Sequence, residues 1–321
     1  MDSPSDRLSL QSMDVRDSFR KIDTDSWLIG TKLILQRTLE AGKGASWRSG
    51  TGAWFTVTEA PSPPPESTRI PTNKGFPIVQ EDEESAAVWC LGRAFLKVKK
   101  LKDREKTTKE AATLEWLAQR ELSFEVPKVL YYAQDEENDY LIVSAVQGQT
   151  LGKAWQKMNI SEKKQCANRV VEIVRELVQW QNDSMTGVDG AELPECALDT
   201  SDEGPNFSSE ALQKTCHDLG MDCSKFVFSH NDLGPYSIMV DGDTKNIVGI
   251  IDWGLAGYVP SEWIRTKFGV SWTLNLQWRD SGTSALSLMG WRHLVGQHLA
   301  EAGYPEVKQA YDKWFKESMG V

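Results

Sequence analysis

Residues Phe226 to Pro260 read FVFSHNDLGPYSIMVDGDTKNIVGIIDWGLAGYVP, and this stretch decides the fold that we predict for the chain. It begins with an apolar strand that runs into a polar loop carrying His230 and Asp232. Two short apolar runs then flank an Asp-Gly turn signal, which is the pattern of a β-hairpin. The second run ends at Asp252. The hairpin therefore brings two carboxylates, Asp232 and Asp252, to the same end of a small sheet.

Two carboxylates in one cleft require a partner, because like charges repel and raise a pKa unless a cation or a proton intervenes. A divalent metal is a common solution, and hard oxygen ligands suit Mg²⁺ that is bound together with a phosphate donor. The pair Asp232 and Asp252 therefore predicts a magnesium site and phosphate chemistry.

The same stretch resembles the core of the aminoglycoside phosphotransferase and choline kinase family, which has a protein-kinase-like fold. That family has the pattern His-x-Asp-Leu-x-x-x-Asn, followed after a hairpin by Ile-Asp-Trp. The first part reads here from His230 to Ser237 and the second from Ile251 to Trp253. The resemblance covers residues 77–270 and is closest to the fungal branch of the family.

The resemblance implies an α+β fold with two lobes, a small β-rich one and a larger, mostly α-helical one. It divides the chain into an N-terminal extension and linker at 1–76, a nucleotide-side lobe at 77–146, and a helical lobe at 147–321 with the catalytic and metal loops. The implied activity is an ATP- and Mg²⁺-dependent phosphotransferase that acts on a hydroxyl of a small molecule.

The resemblance also implies roles for the residues of the motif. Asp232 would be the catalytic base, and Asp252 a metal ligand. His230 is a further catalytic candidate, although the expected structural role of a buried histidine there is to hold the loop by a backbone hydrogen bond. Ser237 occupies the place of the family's metal-binding Asn, where a hydroxyl is a shorter and poorer metal ligand than an amide oxygen.

Two other stretches match the nucleotide side of the family. Residues 94–99, AFLKVK, predict a strand with Lys97 inside an apolar run, and the helix that follows carries Glu110 in its first turn. In the family such a pair grips the α- and β-phosphates, with Lys99 as the fallback because it shares the strand face. The alternative is a solvated, charged strand end.

The hinge of the family corresponds to the end of a buried strand at 139–146. By resemblance, the backbone of Ser144, Ala145 and Val146 would contact the adenine edge of ATP. An ordinary turn from strand to helix is the alternative for these residues.

A second hypothesis keeps the fold but not the phosphoryl transfer. It depends on Ser237 and on an acidic loop at Glu81 to Glu84, whose carboxylates would repel a triphosphate. Such a protein would bind a small metabolite, or convert it by acid–base chemistry without nucleotide. A third hypothesis, a purely structural partner protein, would leave the polar loop residues without a use. The acceptor itself cannot be identified from the sequence.

The composition narrows the class of protein. The 321 residues carry a formal net charge of −10, which argues against a general binder of nucleic acids or anionic membranes. The chain has neither a transmembrane-length apolar window nor the regions of a signal peptide. Five cysteines without a CxxC or zinc spacing fit a reducing compartment. We therefore expect a cytoplasmic protein whose partner is a small-molecule substrate.

Further elements follow from local patterns. Residues 60–73 predict a Pro-rich linker, 42–52 a flexible connector, and 182–206 a surface excursion that could cover the acceptor. The predicted helices are those at 26–39, 107–121 with a cap at Thr107 or Thr108, 161–181 with a cap at Ser161, 208–219, 262–268, 284–300 and 305–319.

Overall fold

A computed structural model describes residues 14–70, 75–82, 85–101, 105–199, 201, 204–277 and 289–318. The chain divides into two compact units, Met1–Lys102 with Val129–Ala145, and Asp103–Lys128 with Val146–Val321. Residues 83–84 of the acidic loop, and the start of the helix predicted at 284–300, lie outside the described residues. The functional division at 76 and 146 stays a prediction.

The first unit begins with an antiparallel sheet whose strand order is β4-β5-β3-β2-β1-β6. Its strands are β1 Phe19–Lys21, β2 Ser26–Ile29, β3 Leu33–Thr38, β4 Ala45–Arg48, β5 Trp54–Glu59 and β6 Thr68–Arg69.

The prediction of a helix at 26–39 is therefore wrong. The prediction of a flexible connector at 42–52 is also wrong for the residues that form β4. The apolar residues of the stretch 26–39 belong to β2 and β3, which pair antiparallel with Ile29 opposite Leu33. Gly30 makes the turn possible because its φ of +57° is one that other residues rarely adopt. A Cβ there would also overlap the Tyr140 side chain.

A second antiparallel sheet completes this unit, with strand order β10-β11-β9-β8-β7. Its strands are β7 Ile78–Asp82, β8 Ala86–Cys90, β9 Ala94–Lys100, β10 Val129–Gln134 and β11 Asn138–Ser144. The two sheets bury one common core, in which Trp27 and Phe55 of the first sheet join Trp89 and Leu96 of the second. The indole N–H of Trp47 donates to the Leu91 carbonyl at 2.8 Å.

The second unit is mostly helical. Its helices are α1 Glu110–Leu117, α2 Leu151–Trp155, α3 Ile160–Leu177, α4 Ser209–Asp218, α5 Ser261–Val270, α6 Gly290–Glu301 and α7 Lys308–Ser318. Helix α3 packs against α6, and α5 packs against both α6 and α7. Within the described part of the chain, no helix combines the length and the apolar character that crossing a membrane requires.

Two predicted helix caps are wrong. Helix α1 begins after Lys109, which makes no side-chain cap, and the Thr108 hydroxyl instead donates to Asp189 at 2.5 Å. Helix α3 begins after Asn159, whose side chain and that of Glu162 form a reciprocal capping box. Helix α1 therefore begins later than predicted, where a tertiary hydrogen bond engages Thr108, and α3 begins one residue earlier, where its capping box lies.

Two small sheets carry the motif stretch, with strand orders β12-β15-β16 and β13-β14-β17. Their strands are β12 Gln149–Thr150, β13 Gln181–Asn182, β14 Phe226–Ser229, β15 Ile238–Val240, β16 Ile247–Ile250 and β17 Gly257–Val259. The predicted hairpin is β15–β16. A β-rich first unit and a mostly helical second unit agree with the predicted α+β class.

Candidate active site

The loop after β14 is held from behind by His230, which is 1% exposed. Its Nε2 lies 3.0 Å from the Ile251 carbonyl oxygen, and the backbone N–H of Asp232 donates to its Nδ1 at 3.1 Å. These two bonds require the neutral tautomer with the proton on Nε2. His230 therefore ties the loop that carries Asp232 to the strand end that leads to Asp252.

Two residues of this site adopt a left-handed backbone conformation. Asn231 has a φ of 60° and Asp252 a φ of 66°. The Asn231 side-chain amide donates to the Leu255 carbonyl at 3.0 Å, which is a second link between the loop and the segment after the hairpin. Such a conformation costs about 1–3 kcal/mol at a residue other than glycine, and it persists only where surrounding contacts enforce it.

An aromatic stack supports both strand ends. Trp253 is fully buried, and its ring lies 4.5 Å from His230. It is nearly parallel to Phe228 and to Phe124, each at 6.2 Å between centroids, and its indole N–H donates to the Ile250 carbonyl at 3.0 Å. The Trp of the Ile-Asp-Trp motif thus fixes the position of the residue before it.

Ser237 lies opposite Ile251, the residue before Asp252. Its carbonyl accepts from the Ile251 N–H at 2.8 Å, and its own N–H donates to the Gly234 carbonyl at 3.1 Å. Ser237 is buried, at 5% exposed. The hairpin register thus places the Ser237 backbone across from the residue before Asp252.

Asp232 is partly exposed, and its pKa is raised to about 6. Burial is the main cause, and the charge of Asp252 is the next. Two effects act against this rise and lower the pKa of Asp232. One is the charge of Lys267, and the other is a hydrogen bond from the Thr273 hydroxyl to Oδ1 at 3.3 Å. The two predicted carboxylates are therefore close enough for their charges to interact.

The fit to a metal ion rests on these two carboxylates. Asp252 lies two residues after the end of β16 in a left-handed conformation, and a cation there would relieve its repulsion of Asp232. Among the described residues, no group of three or more His, Cys, Asp or Glu side chains is arranged to hold a metal ion. Two carboxylates alone would suit an ion such as Mg²⁺, which keeps water and phosphate oxygens as its other ligands.

A buried ion pair lies near the loop that follows β14. Lys267 of α5 is 2.5 Å from Glu195, and their side chains are 8% and 2% exposed. The Glu195 carboxylate also accepts hydrogen bonds from the Trp263 indole N–H at 3.1 Å and from the Ala197 N–H at 3.2 Å. Such a pair holds its charges in place only because these hydrogen bonds satisfy the carboxylate.

A cavity of ≈ 20 Å³ lies between Lys267 and the loop that follows β14. Its lining includes His230, Asn231 and Lys267, together with apolar side chains of α3 and α5. A volume of about 10–15 Å³ is enough for one water molecule, and the polar lining offers it partners. Lys267 thus faces the same small space as the two residues that precede Asp232.

The segment 271–277 also contacts the loop that follows β14. Thr273 donates to Asp232, and the hydroxyl of Tyr236 accepts from the Gln277 N–H at 2.8 Å. Gly234 lies against Leu274, whose Cδ2 would be 3.3 Å from a Cβ at that glycine. This segment therefore fixes the outer side of the loop.

The nucleotide-side candidates lie on separate elements. Lys97 is half-buried on β9, paired with Leu141, and Glu110 is 8% exposed in the first turn of α1. Ser144 ends β11, and the N–H of Ala145 already donates to the Arg93 carbonyl at 2.9 Å. These positions follow the predicted elements, and the pairing of Lys97 with Glu110 stays a prediction.

The sequence analysis missed Glu195, Lys267 and Thr273. A signal for Lys267 does exist, because it lies at helical spacing from Trp263 and Ile264 and therefore on the apolar face of α5. Glu195 and Thr273 lie in irregular segments, where no periodic pattern reveals their long-range contacts.

Residues 77–261 match the family model described as the phosphotransferase enzyme family, APH. This match covers more than half of the chain and includes both the loop that follows β14 and the hairpin β15–β16. The chain belongs to the phosphotransferase enzyme family. Membership in this family, with the β-rich and helical units, confirms the predicted protein-kinase-like α+β class. The fungal branch stays a prediction.

Solved aminoglycoside phosphotransferases are similar to this phosphotransferase family member. APH(3'')-Id from Streptomyces rimosus ATCC10970 is 18% identical, with a TM-score of 0.46 over 74% of this chain and 90% of that chain. Its complex with ADP and streptomycin is 16% identical, with a TM-score of 0.45 over 70% and 87%. ADP-bound APH(2'')-Ib is 13% identical, with a TM-score of 0.45 over 75% and 81%. The comparison with curated proteins gives no match.

Proposed function

We propose that this member of the family transfers the γ-phosphoryl group of ATP to a hydroxyl group of a small molecule. The observation that carries the proposal is the coupling of Asp232 and Asp252, which lie on two segments tied together by His230. Family membership supplies the class of reaction, and this coupling supplies the acid–base group and the cation site that the reaction needs.

Asp232 would accept the hydroxyl proton of the acceptor. The acceptor oxygen then forms a bond to the γ-phosphorus, the bond from that phosphorus to the β-phosphate oxygen breaks, and ADP leaves with that electron pair. A base with a pKa of about 6 is well matched to this task, because it is ionised at neutral pH and still holds a proton usefully. His230 positions the base, since both of its ring nitrogens face backbone groups.

Asp252 and Ser237 would hold Mg²⁺, which when bound neutralises phosphate charge. Lys97, with Glu110, would bind the phosphates, and the backbone from Ser144 to Val146 would contact the adenine ring. Because the Ala145 N–H already has a backbone partner, contact with the adenine would fall to neighbouring backbone groups.

A second candidate function is the binding or conversion of a small metabolite without nucleotide. Ser237 favours it, because the family pattern has a longer metal-binding Asn at this place. Under this candidate, Asp232 would still act as an acid–base group in a site that does not bind ATP.

Binding of MgATP, measured by isothermal titration calorimetry, separates the two candidates. The proposal expects binding by the native protein, a loss of Mg²⁺-dependent affinity in Asp252→Asn, and no change in Asp243→Asn, which removes an exposed carboxylate from the turn of the same hairpin. No binding by the native protein, with binding restored in Ser237→Asn, would reject the kinase assignment in favour of the second candidate.

We also propose a cytoplasmic location, which the odd number of cysteines and their lack of paired spacing support. Fractionation of cells that express a tagged chain tests it, and recovery in a secretory or membrane fraction would contradict it.

A further inference from the structure

One large apolar side chain stands out beside the catalytic loop. Trp272 is 78% exposed, whereas most of the tryptophans in the described chain are buried or half-buried. It directly precedes Thr273, whose hydroxyl is hydrogen-bonded to Asp232. Exposure of a single apolar side chain is common and needs no explanation by itself, so the feature of interest is the position of this indole, one residue from the partner of the proposed base.

The segment that carries Trp272 is firmly attached. The Ser271 hydroxyl lies 2.8 Å from that of Thr273, and its carbonyl accepts from the Arg292 guanidinium at 3.4 Å. Leu274 is 1% exposed. Trp272 is therefore presented by a fixed backbone, so little conformational entropy is lost when a ligand packs on its ring.

The geometry of this short helix sets the direction of the indole. Residues Trp272, Thr273 and Leu274 form one 3₁₀ turn, in which consecutive side chains point about 120° apart. Leu274 points into the core and Thr273 reaches the base. The third direction, which belongs to Trp272, opens to solvent.

We propose that Trp272 is the platform on which the acceptor molecule lies, and that this acceptor carries a flat, apolar ring system beside the hydroxyl that reacts. The inference rests on the proposed function for the identity of the reacting group. An indole face offers stacking and apolar area but no hydrogen-bond acceptor, so it selects a planar ring rather than a polyhydroxylated chain.

The charges around the base agree with an uncharged or weakly charged acceptor. In the part of the chain that the structure describes, the carboxylates whose charge acts on Asp232 are Asp252 and Glu195. Asp252 is assigned to the cation, and Glu195 is neutralised by Lys267. Neither of these two carboxylates is thus left to bind a positively charged acceptor.

The test compares Trp272→Ala and Trp272→Phe with the native protein. The control is Ile160→Ala, which removes an apolar side chain of similar exposure, 74%, at the start of α3. The probes are fused-ring aromatic alcohols, saturated acyclic alcohols of equal size, and streptomycin. Two readouts are needed, the Kd of each probe without nucleotide and the KM and kcat for phosphoryl transfer from γ-labelled ATP.

We expect the native protein to prefer the ring alcohols. Stacking of a ring on an aromatic side chain contributes about 1–3 kcal/mol, so Trp272→Ala should raise Kd and KM roughly 5- to 150-fold, while kcat changes less. Trp272→Phe should retain most of the affinity, and Ile160→Ala should match the native protein.

The outcomes also separate this inference from the proposed function. Ring alcohols that bind and depend on Trp272, without any phosphoryl transfer, would reject the kinase function and leave the platform intact. Equal affinity of the native protein and Trp272→Ala for ring alcohols, absence of ring binding, or a preference for streptomycin that is unaffected by Trp272→Ala would overturn the inference.

Discussion

The buried pair of Lys267 and Glu195 allows a prediction that needs no knowledge of the substrate. Glu195→Gln keeps an oxygen acceptor for the Trp263 indole N–H, but it removes the ion-pair partner of the Lys267 ammonium, which is only 8% exposed. Lys267→Met leaves the carboxylate equally isolated. Each single change should lower the free energy of unfolding by about 3–5 kcal/mol, because one buried charge loses its partner.

The double variant should recover most of this loss. With both charges absent, the introduced glutamine no longer faces an ammonium group, and the introduced methionine fills the volume of the lysine stem. Replacing a buried ion pair by neutral groups of similar volume is often neutral, so we expect the double variant of Glu195→Gln and Lys267→Met within about 2 kcal/mol of the native protein. The exposed pair Lys313 and Glu317, at 3.8 Å, provides the control, since Lys313→Met should cost less than about 1 kcal/mol.

Urea unfolding followed by far-UV circular dichroism measures these differences. A single variant that costs no more than Lys313→Met, or losses that simply add in the double variant, would show that the pair is not buried and coupled as described.

The pH dependence of activity provides a second test of the same pair. The Lys267 charge lowers the pKa of Asp232 and the Glu195 charge raises it, so the acid limb of activity should move to higher pH in Lys267→Met and to lower pH in Glu195→Gln.

Activity should fall as the pH drops through about 6, because the Asp232 carboxylate must be ionised to accept a proton; a pH profile of kcat/KM that is flat between pH 5 and 7 would be inconsistent with this role. In Asp252→Asn, the pKa of Asp232 should move down toward its ordinary value, and an unchanged ¹³C NMR titration of that carboxyl would count against the coupling. Gly152→Ala should cost about 1–3 kcal/mol, because a methyl group would overlap the Tyr236 ring, whereas Gly296→Ala in α6 meets nothing within 4 Å and should raise stability slightly; thermal unfolding compares the two, and equal effects would refute the packing.

Local signals in the sequence were sufficient for the motif stretch. The Asp-Gly turn with flanking apolar runs predicts the hairpin β15–β16, because the turn and its strands are neighbours in the chain. The same stretch predicts that Asp232 and Asp252 share one site, and the charge of Asp252 does raise the pKa of Asp232.

The N-terminal sheet was mispredicted because a run of apolar residues is compatible with both a helix and a strand pair. The turn at Gly30 decides between them. It adopts a left-handed conformation, and the Tyr140 side chain, which is distant in sequence, leaves no room there for a Cβ. Local propensity carries no information about such a neighbour.

The support of the site depends on contacts between distant segments. Glu195 meets Lys267, and Thr273 meets Asp232, across long separations in the chain. Only the lysine has a readable signal, its position on the apolar face of α5. The exposure of Trp272 also could not be predicted from the sequence, since the simplest expectation for a tryptophan is a place in the core.

The central claim is that Asp232 is the base of a phosphoryl-transfer site, and release of ADP from MgATP by the native protein and by Asp232→Asn tests it most directly. Water can replace the unknown acceptor, so the measurement requires no substrate. The account predicts measurable ADP release that falls about 10²- to 10⁴-fold in Asp232→Asn and is unchanged in Asp243→Asn. ADP release by Asp232→Asn at the native rate would contradict it.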